Sequence, residues 1–146
     1  MAVLEQDGIE VDFIDGVMEE MSISDFAQAT ARMRPDLVVI ECSTPSINYD
    51  LQTARAVRES VDGVFVTLIG SHPTVFHEEI LGDNPAVGAI CRGEFEMTVK
   101  QLALSLAHGD DLSQVGGLSY REGARSTEQH QPTIRDHLGD QSPRGR

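Results

Sequence analysis

Val64-Phe65-Val66-Thr67-Leu68-Ile69-Gly70-Ser71-His72-Pro73 is the stretch whose reading decides the fold. A run of β-branched, aromatic and aliphatic residues passes directly into Gly-Ser-His-Pro, and a helical pattern follows. A continuous apolar run bounded by turn residues marks a strand buried on both faces, as in a parallel sheet. Pro73 suits the first turn of the helix that comes next. In open α/β sheets, ligands lie in the crevice outside the carboxyl ends of such strands. Gly70 has no Cβ, so backbone there can lie directly against a ligand. Gly70, Ser71 and His72 are therefore candidate ligand contacts, although an ordinary strand-to-helix turn explains the same residues.

The pattern repeats on both sides. Upstream, Asp36-Leu37-Val38-Val39-Ile40-Glu41 is a second buried strand, ending in the loop Cys42-Ser43-Thr44-Pro45-Ser46. A helix follows with Leu51, Ala54, Val57 and Val61 on its inward stripe, and Asp62-Gly63 turns into the first-quoted strand. Downstream, a short helix runs to Leu81 and Asp83-Asn84-Pro85 makes a turn. Val87 to Cys91 is a third strand, and Arg92-Gly93-Glu94 leads into a helix with Phe95, Val99, Leu102 and Leu106 on one stripe. Glu94 and Glu96 open that helix, where the macrodipole favours negative charge, and Gly109 closes it. Strands alternating with helices define an α/β, Rossmann-like (flavodoxin-like) doubly wound parallel sheet. Right-handed crossovers bring the three strand-to-helix loops to one edge.

At the front, a short helical start breaks at Gly8, and Ile9 to Asp15 alternates apolar and polar residues, which predicts a half-buried strand near a sheet edge. Ser24 can cap a helix through Met33, with Phe26, Thr30 and Met33 on one face, stopped by Pro35. In the flavodoxin-like order 2-1-3-4-5 the first strand is central; here the chain reads as beginning within the helix after that strand, so the expectation is either a sheet built differently or a fragment lacking its first, central strand. Two open ladder edges then predict weak cooperativity or self-association. Gly117 to Gly123 reads as a small extra strand. The domain is therefore drawn over residues 1–123, and residues 124–146, poor in apolar residues and carrying two prolines, as a tail or linker remnant with little order.

Composition narrows the function classes. With 146 residues the chain holds one domain and one core. No run reaches the ~18 apolar residues of a membrane span, and the start lacks a signal peptide's basic end and apolar centre. A net charge of −13 argues against nucleic-acid binding. Cys42 and Cys91 sit at the ends of apolar runs and suit buried thiols in a reducing cytoplasm. There is no G-x-G-x-x-G, no phosphate-binding G-x-x-x-x-G-K-[ST] and no G-x-S-x-G turn. A receiver-type aspartate is replaced by Glu41. His72 and His77 lie near the crevice without metal-ligand company at suitable spacing, so no metal ligand and no catalytic residue is assigned. Asp110-Asp111 and Glu78-Glu79 read as solvated charges. Ser43, Thr44 and Ser46 offer hydroxyls at the ligand-binding edge, and Gly93 allows close backbone approach.

Three stretches together resemble the N-terminal cobalamin-binding domain of the cobalamin-dependent radical S-adenosylmethionine enzymes: Glu41-Cys42-Ser43-Thr44-Pro45-Ser46, Ile69-Gly70-Ser71-His72-Pro73-Thr74, and Cys91-Arg92-Gly93-Glu94-Phe95-Glu96. The likeness runs from about Val3 to Gly123. It implies a domain holding cobalamin at the carboxyl edge of the sheet. Ser43 and Thr44 would lie along the nucleotide tail, Gly70, Ser71 and His72 beside tail or corrin, and Gly93 and Glu94 would complete the wall. The D-x-H-x-x-G motif of other cobalamin proteins is absent, as is common in the radical family. Whole enzymes of that family continue into a barrel with a C-x-x-x-C-x-x-C iron–sulfur motif. This chain has two cysteines, 49 positions apart, so the cluster and S-adenosylmethionine would belong to a domain it does not contain. Pro132 to Asp136 resembles the start of the linker to that barrel, and His137 to Arg146 departs from it. The expected role is a cytoplasmic cobalamin-binding module, inactive alone, self-associating or dependent on the missing barrel. The alternatives are a flavodoxin-like module for another flat cofactor such as a flavin, and a vestigial or interaction domain with no ligand.

Overall fold

The computed structural model describes residues 2–122 and 125–128 of the chain. Helix α1 (Ala2–Glu5) and an irregular segment precede α2 (Ile23–Met33). Then come β1 (Leu37–Glu41), α3 (Ile47–Ser60), β2 (Phe65–Ile69), α4 (Ser71–Val75) and α5 (His77–Asp83). The chain continues through β3 (Ala89–Cys91), α6 (Phe95–His108), a 3-10 turn at Leu112–Gln114, β4 (Leu118–Glu122) and β5 (Arg125–Glu128). The sheet order is β1-β2-β3-β4-β5. β1, β2 and β3 are mutually parallel, whereas β4 and β5 add antiparallel. The α/β, Rossmann-like expectation holds, with the sheet mixed rather than wholly parallel.

The period of two along β2 divides the core. Val66 and Leu68 face one side, where they pack with Ile40, Ala54 and Val57 and with Ile80 and Leu81 of α5. Ile69 faces the other with Val99 and Leu102 of α6 and with Leu118 and Tyr120 of β4, and Leu4 of α1 packs against this cluster. Helices therefore cover both faces. Leu68, Ile90, Leu102 and Leu118 are fully buried, each stabilising the fold by about 1.5–3 kcal/mol relative to exposure. Of the expected α3 stripe, Ala54 and Val57 are buried and Leu51 is half-buried, while Val61 is buried just past the helix end and Ile47 and Thr53 join the buried face. Gly109 ends α6 in the left-handed region at φ 71°.

Five features differ from expectation. Ile9 to Asp15 forms no strand: a period-two pattern becomes a strand only with a ladder partner, and among the described residues β1 pairs with β2 alone. Phe13 is 72% exposed, and Asp15 to Met21 closes instead as a hydrogen-bonded turn. The cap of α2 is Ser22 rather than Ser24. Its hydroxyl accepts from the Asp25 N–H (3.1 Å) while the Asp25 carboxylate accepts from the Ser22 N–H (3.4 Å), a reciprocal box that needs this spacing of three. Met33, expected on one face with Phe26 and Thr30, is 46% exposed whereas Thr30 is buried. The single helix expected after Pro73 is two, α4 and α5, meeting at Phe76. Arg125–Glu128 pairs with β4, so regular structure passes the boundary drawn at Gly123. The remainder of the expected tail, Pro132 to Asp136 included, lies outside the described residues.

Candidate functional site

Because β1, β2 and β3 are parallel, the loops after them share one edge. Register sets their heights: Glu41 lies opposite Ile69, and Leu68 opposite Ile90. Cys42 therefore stands beside Gly70, and its N–H donates to the Ile69 carbonyl at 2.9 Å. Gly70 has φ 116° and ψ 177°, and a Cβ built on it would overlap the Cys42 carbonyl oxygen. Only glycine lets the first two loops close to this distance.

Side chains complete the join. His72 Nδ1 and Thr44 Oγ1 are 3.2 Å apart, linking the β1–α3 loop to α4. The Thr74 hydroxyl donates to the Gly70 carbonyl (2.7 Å) and accepts from the Gly93 N–H (3.2 Å), linking α4 to the loop after β3. Gly93 is left-handed at φ 64°, and the Arg92 N–H reaches across to the Gly117 carbonyl (2.9 Å). Ser43, Thr44, Ser71, Gly93 and Glu94 are exposed along this edge, with Gly70 and His72 half-buried. Glu94 takes the N-cap position of α6.

Beneath the first loop lies a chain of polar groups. Ser43 Oγ is 2.9 Å from Ser46 Oγ, and Ser46 Oγ donates to Asp50 Oδ2 at 2.6 Å. Cys42 is buried, and burial pushes its thiol well above the usual range, with the Asp50 carboxylate adding by charge and by hydrogen bond. Burial likewise pushes Cys91 up to about 11, against a smaller opposing contribution from Thr67. The two thiols pack in separate clusters on opposite faces of the sheet. They stay protonated and inert at neutral pH.

Beside the edge, a cavity of about 290 Å³ opens between α3 and the α4–α5 pair, lined by Ile47, Leu51, His72, Phe76 and Ile80 with Asn48, Glu79, Asp83 and Asn84. The His72 and Phe76 rings lie 4.6 Å apart in a tilted arrangement. Three of the residues that build the edge carried no prior assignment: Thr74, Asp50 and Phe76. A signal existed for two of them. Thr74 falls one helical turn after Gly70, and Asp50 one turn after Ser46, spacings at which a side chain meets the start of its own helix. His77, by contrast, leaves the crevice and pairs through Nδ1 with Ser119 Oγ on β4 at 3.1 Å. Among the described residues no group of three or more His, Cys, Asp or Glu side chains could hold a metal ion.

Three parallel strands of an α/β sheet, with carboxyl-end loops of small residues, hydroxyls and open backbone, place this edge where domains of this class bind their ligands. Residues 1–103 match the family described as B12 binding domain, and the chain belongs to that family. It is 34% identical over 117 residues to an uncharacterized methyltransferase of Pyrococcus horikoshii, covering 80% of this chain and 25% of that protein. It is 29% identical over 128 residues to the anaerobic magnesium-protoporphyrin IX monomethyl ester cyclase of Cereibacter sphaeroides, covering 85% and 21%. The chain thus spans about a quarter or less of these curated relatives. Among solved structures, the radical S-adenosylmethionine methyltransferase TsrM of Kitasatospora setae, with cobalamin and a 4Fe–4S cluster bound, superposes with a TM-score of 0.78 at 17% identity. That match covers 90% of this chain and 25% of TsrM. The cobalamin-dependent S-adenosylmethionine radical enzyme OxsB superposes at 0.76 and 18% identity, covering 89% and 18%. The fold is theirs.

No helix among the described residues is long and apolar enough to cross a membrane.

Proposed function

We propose that this chain is the cobalamin-holding module of a radical S-adenosylmethionine enzyme, with catalysis carried by domains beyond it. One observation supports the reading most. The loops after β1, β2 and β3 are locked together by the Cys42–Gly70 packing, the Thr44–His72 contact and the Thr74 bridge. They build a continuous wall of small residues, hydroxyls and open backbone, with Glu94 its exposed charge and Arg92 and Asp50 drawn inward, in a chain of the B12-binding family. Such a wall fits a large flat ligand with a polar, amide-rich rim, which needs open backbone and hydroxyls rather than charge. Ser43 and Thr44 would lie along the nucleotide tail, Gly70, Ser71 and His72 beside tail or corrin, and Gly93 and Glu94 at the far end of the wall. Cobalamin supplies a cobalt-centred methyl carrier or redox partner when bound. The residues of this chain bind and orient it. An iron–sulfur cluster and S-adenosylmethionine belong to the rest of an enzyme of this kind, and the module works in the cytoplasm.

Hydroxocobalamin and flavin mononucleotide, added separately to purified protein and followed by visible spectroscopy after desalting, test the reading. Retained corrin absorbance is expected with the first and no retained flavin with the second. No retained corrin absorbance at tens of micromolar protein refutes it.

A further inference from the structure

The start of a helix favours anions, because free N–H groups and the macrodipole attract negative charge. The β1–α3 loop is wired the other way. A carboxylate only accepts hydrogen bonds, and a serine hydroxyl has one proton to give. Ser46 Oγ lies 2.6 Å from Asp50 Oδ2 and 3.3 Å from the Ser43 carbonyl. The shorter, charge-assisted bond takes the proton. Ser46 Oγ is then an acceptor toward its other partners, the Ser43 N–H at 3.1 Å and the Ser43 hydroxyl at 2.9 Å. The Ser43 proton is therefore committed inward, and its exposed oxygen presents only lone pairs to the crevice. Asp50 also places its negative charge in the first turn of α3, where an anionic ligand group would otherwise be attracted.

We infer that Asp50 sets the hydrogen-bond polarity of the β1–α3 loop, so that Ser43 accepts from N–H or O–H donors of the ligand and the loop selects against phosphate. This rests on the cobalamin reading and narrows it: the loop meets amide or sugar-hydroxyl groups of the ligand rather than its phosphodiester. Asp50 is a positioning residue that acts through Ser46.

The test has two arms. In the first, inorganic phosphate is titrated into the uniformly labelled wild-type protein and into Asp50→Asn, following the backbone amide resonances of Ser43 to Asp50. No saturable shift is expected in the wild type up to tens of millimolar. A saturable response is expected in Asp50→Asn, whose amide can donate to Ser46 and so release the Ser43 proton. In the second, hydroxocobalamin affinity is measured for wild type, Asp50→Asn and Ser43→Ala. Each variant is expected to bind about 3- to 10-fold more weakly, the worth of one hydrogen bond. Saturable phosphate binding at these amides in the wild type overturns the inference, as does tighter cobalamin binding by Asp50→Asn. Wild-type protein that takes up no cobalamin refutes the cobalamin reading alone, and the phosphate arm still decides the polarity.

Discussion

Replacing Gly70 by alanine tests the idea that the site edge is held by backbone packing between two loops. Gly70 sits at φ 116° and ψ 177°, a region closed to residues with a side chain, and occupying it costs about 1–3 kcal/mol. The new methyl would also overlap the Cys42 carbonyl oxygen and stand 3.1 Å and 3.3 Å from the Cys42 carbonyl carbon and nitrogen. These are backbone atoms, tied by the 2.9 Å bond from the Cys42 N–H to Ile69, so no flexible side chain can swing away. Separating the loops or straining them costs about another 1–3 kcal/mol. The total, about 2–6 kcal/mol, is a large share of the ~5–15 kcal/mol that holds a domain of this kind. Gly63 is the internal control: it is also left-handed, at φ 72°, but a Cβ there meets nothing within 4 Å. Gly63→Ala should therefore cost only about 1–2 kcal/mol. Urea denaturation reads the difference, since at a slope of about 2 kcal/mol per molar a 4 kcal/mol loss moves the midpoint by about 2 M. Cobalamin uptake should fall with Gly70→Ala and stay with Gly63→Ala. Equal midpoint losses for the two variants would refute the packing account.

Two further outcomes follow from the same geometry. Thr74→Ala removes the hydroxyl shared by the Gly70 carbonyl and the Gly93 N–H. It should cost about 1–3 kcal/mol and weaken cobalamin binding, whereas Thr74→Ser keeps most of both; equal losses would assign the effect to the methyl group. Both thiols have raised pKa values in the fold, so the folded chain holds its thiol protons more tightly than the unfolded chain does. The stability they contribute is complete below the ordinary thiol value of 9.0 and is lost as pH rises from there toward about 11 for Cys91. The slope is about 1.4 kcal/mol per pH unit for each thiol, or about 3 kcal/mol for Cys91 over the whole window. Denaturation midpoints at about pH 8 and about pH 10 should show the fall, and Cys91→Ala should show a shallower one. A wild-type midpoint that does not change between these pH values would contradict the burial of both groups.

Local pattern alone determined most of the scaffold. The buried runs at Leu37–Glu41 and Phe65–Ile69 and the stripes of α3 and α6 follow from periodicity, which depends on the spacing of neighbours in the chain. The three carboxyl-end loops follow from the handedness of parallel crossovers, so Ser43, Thr44, Gly70, Ser71, His72, Gly93 and Glu94 could be placed on one edge without coordinates. Strands need partners, and partners lie far away in sequence. For that reason Ile9 to Asp15 kept its alternation and formed no strand, while Arg125–Glu128, with no strong apolar pattern, joined the sheet beside β4. The same holds within the site. That Gly70 is indispensable comes from Cys42, 28 residues earlier, pressing on it, and the bridge from Thr74 to Gly93 spans 19 residues. The sequence supplied glycine, hydroxyls and a carboxylate at the right edge. Only the tertiary structure, by pressing loops from distant parts of the chain together, decided which of these groups meet across the edge: Cys42 with Gly70, Thr44 with His72, and Thr74 with Gly93.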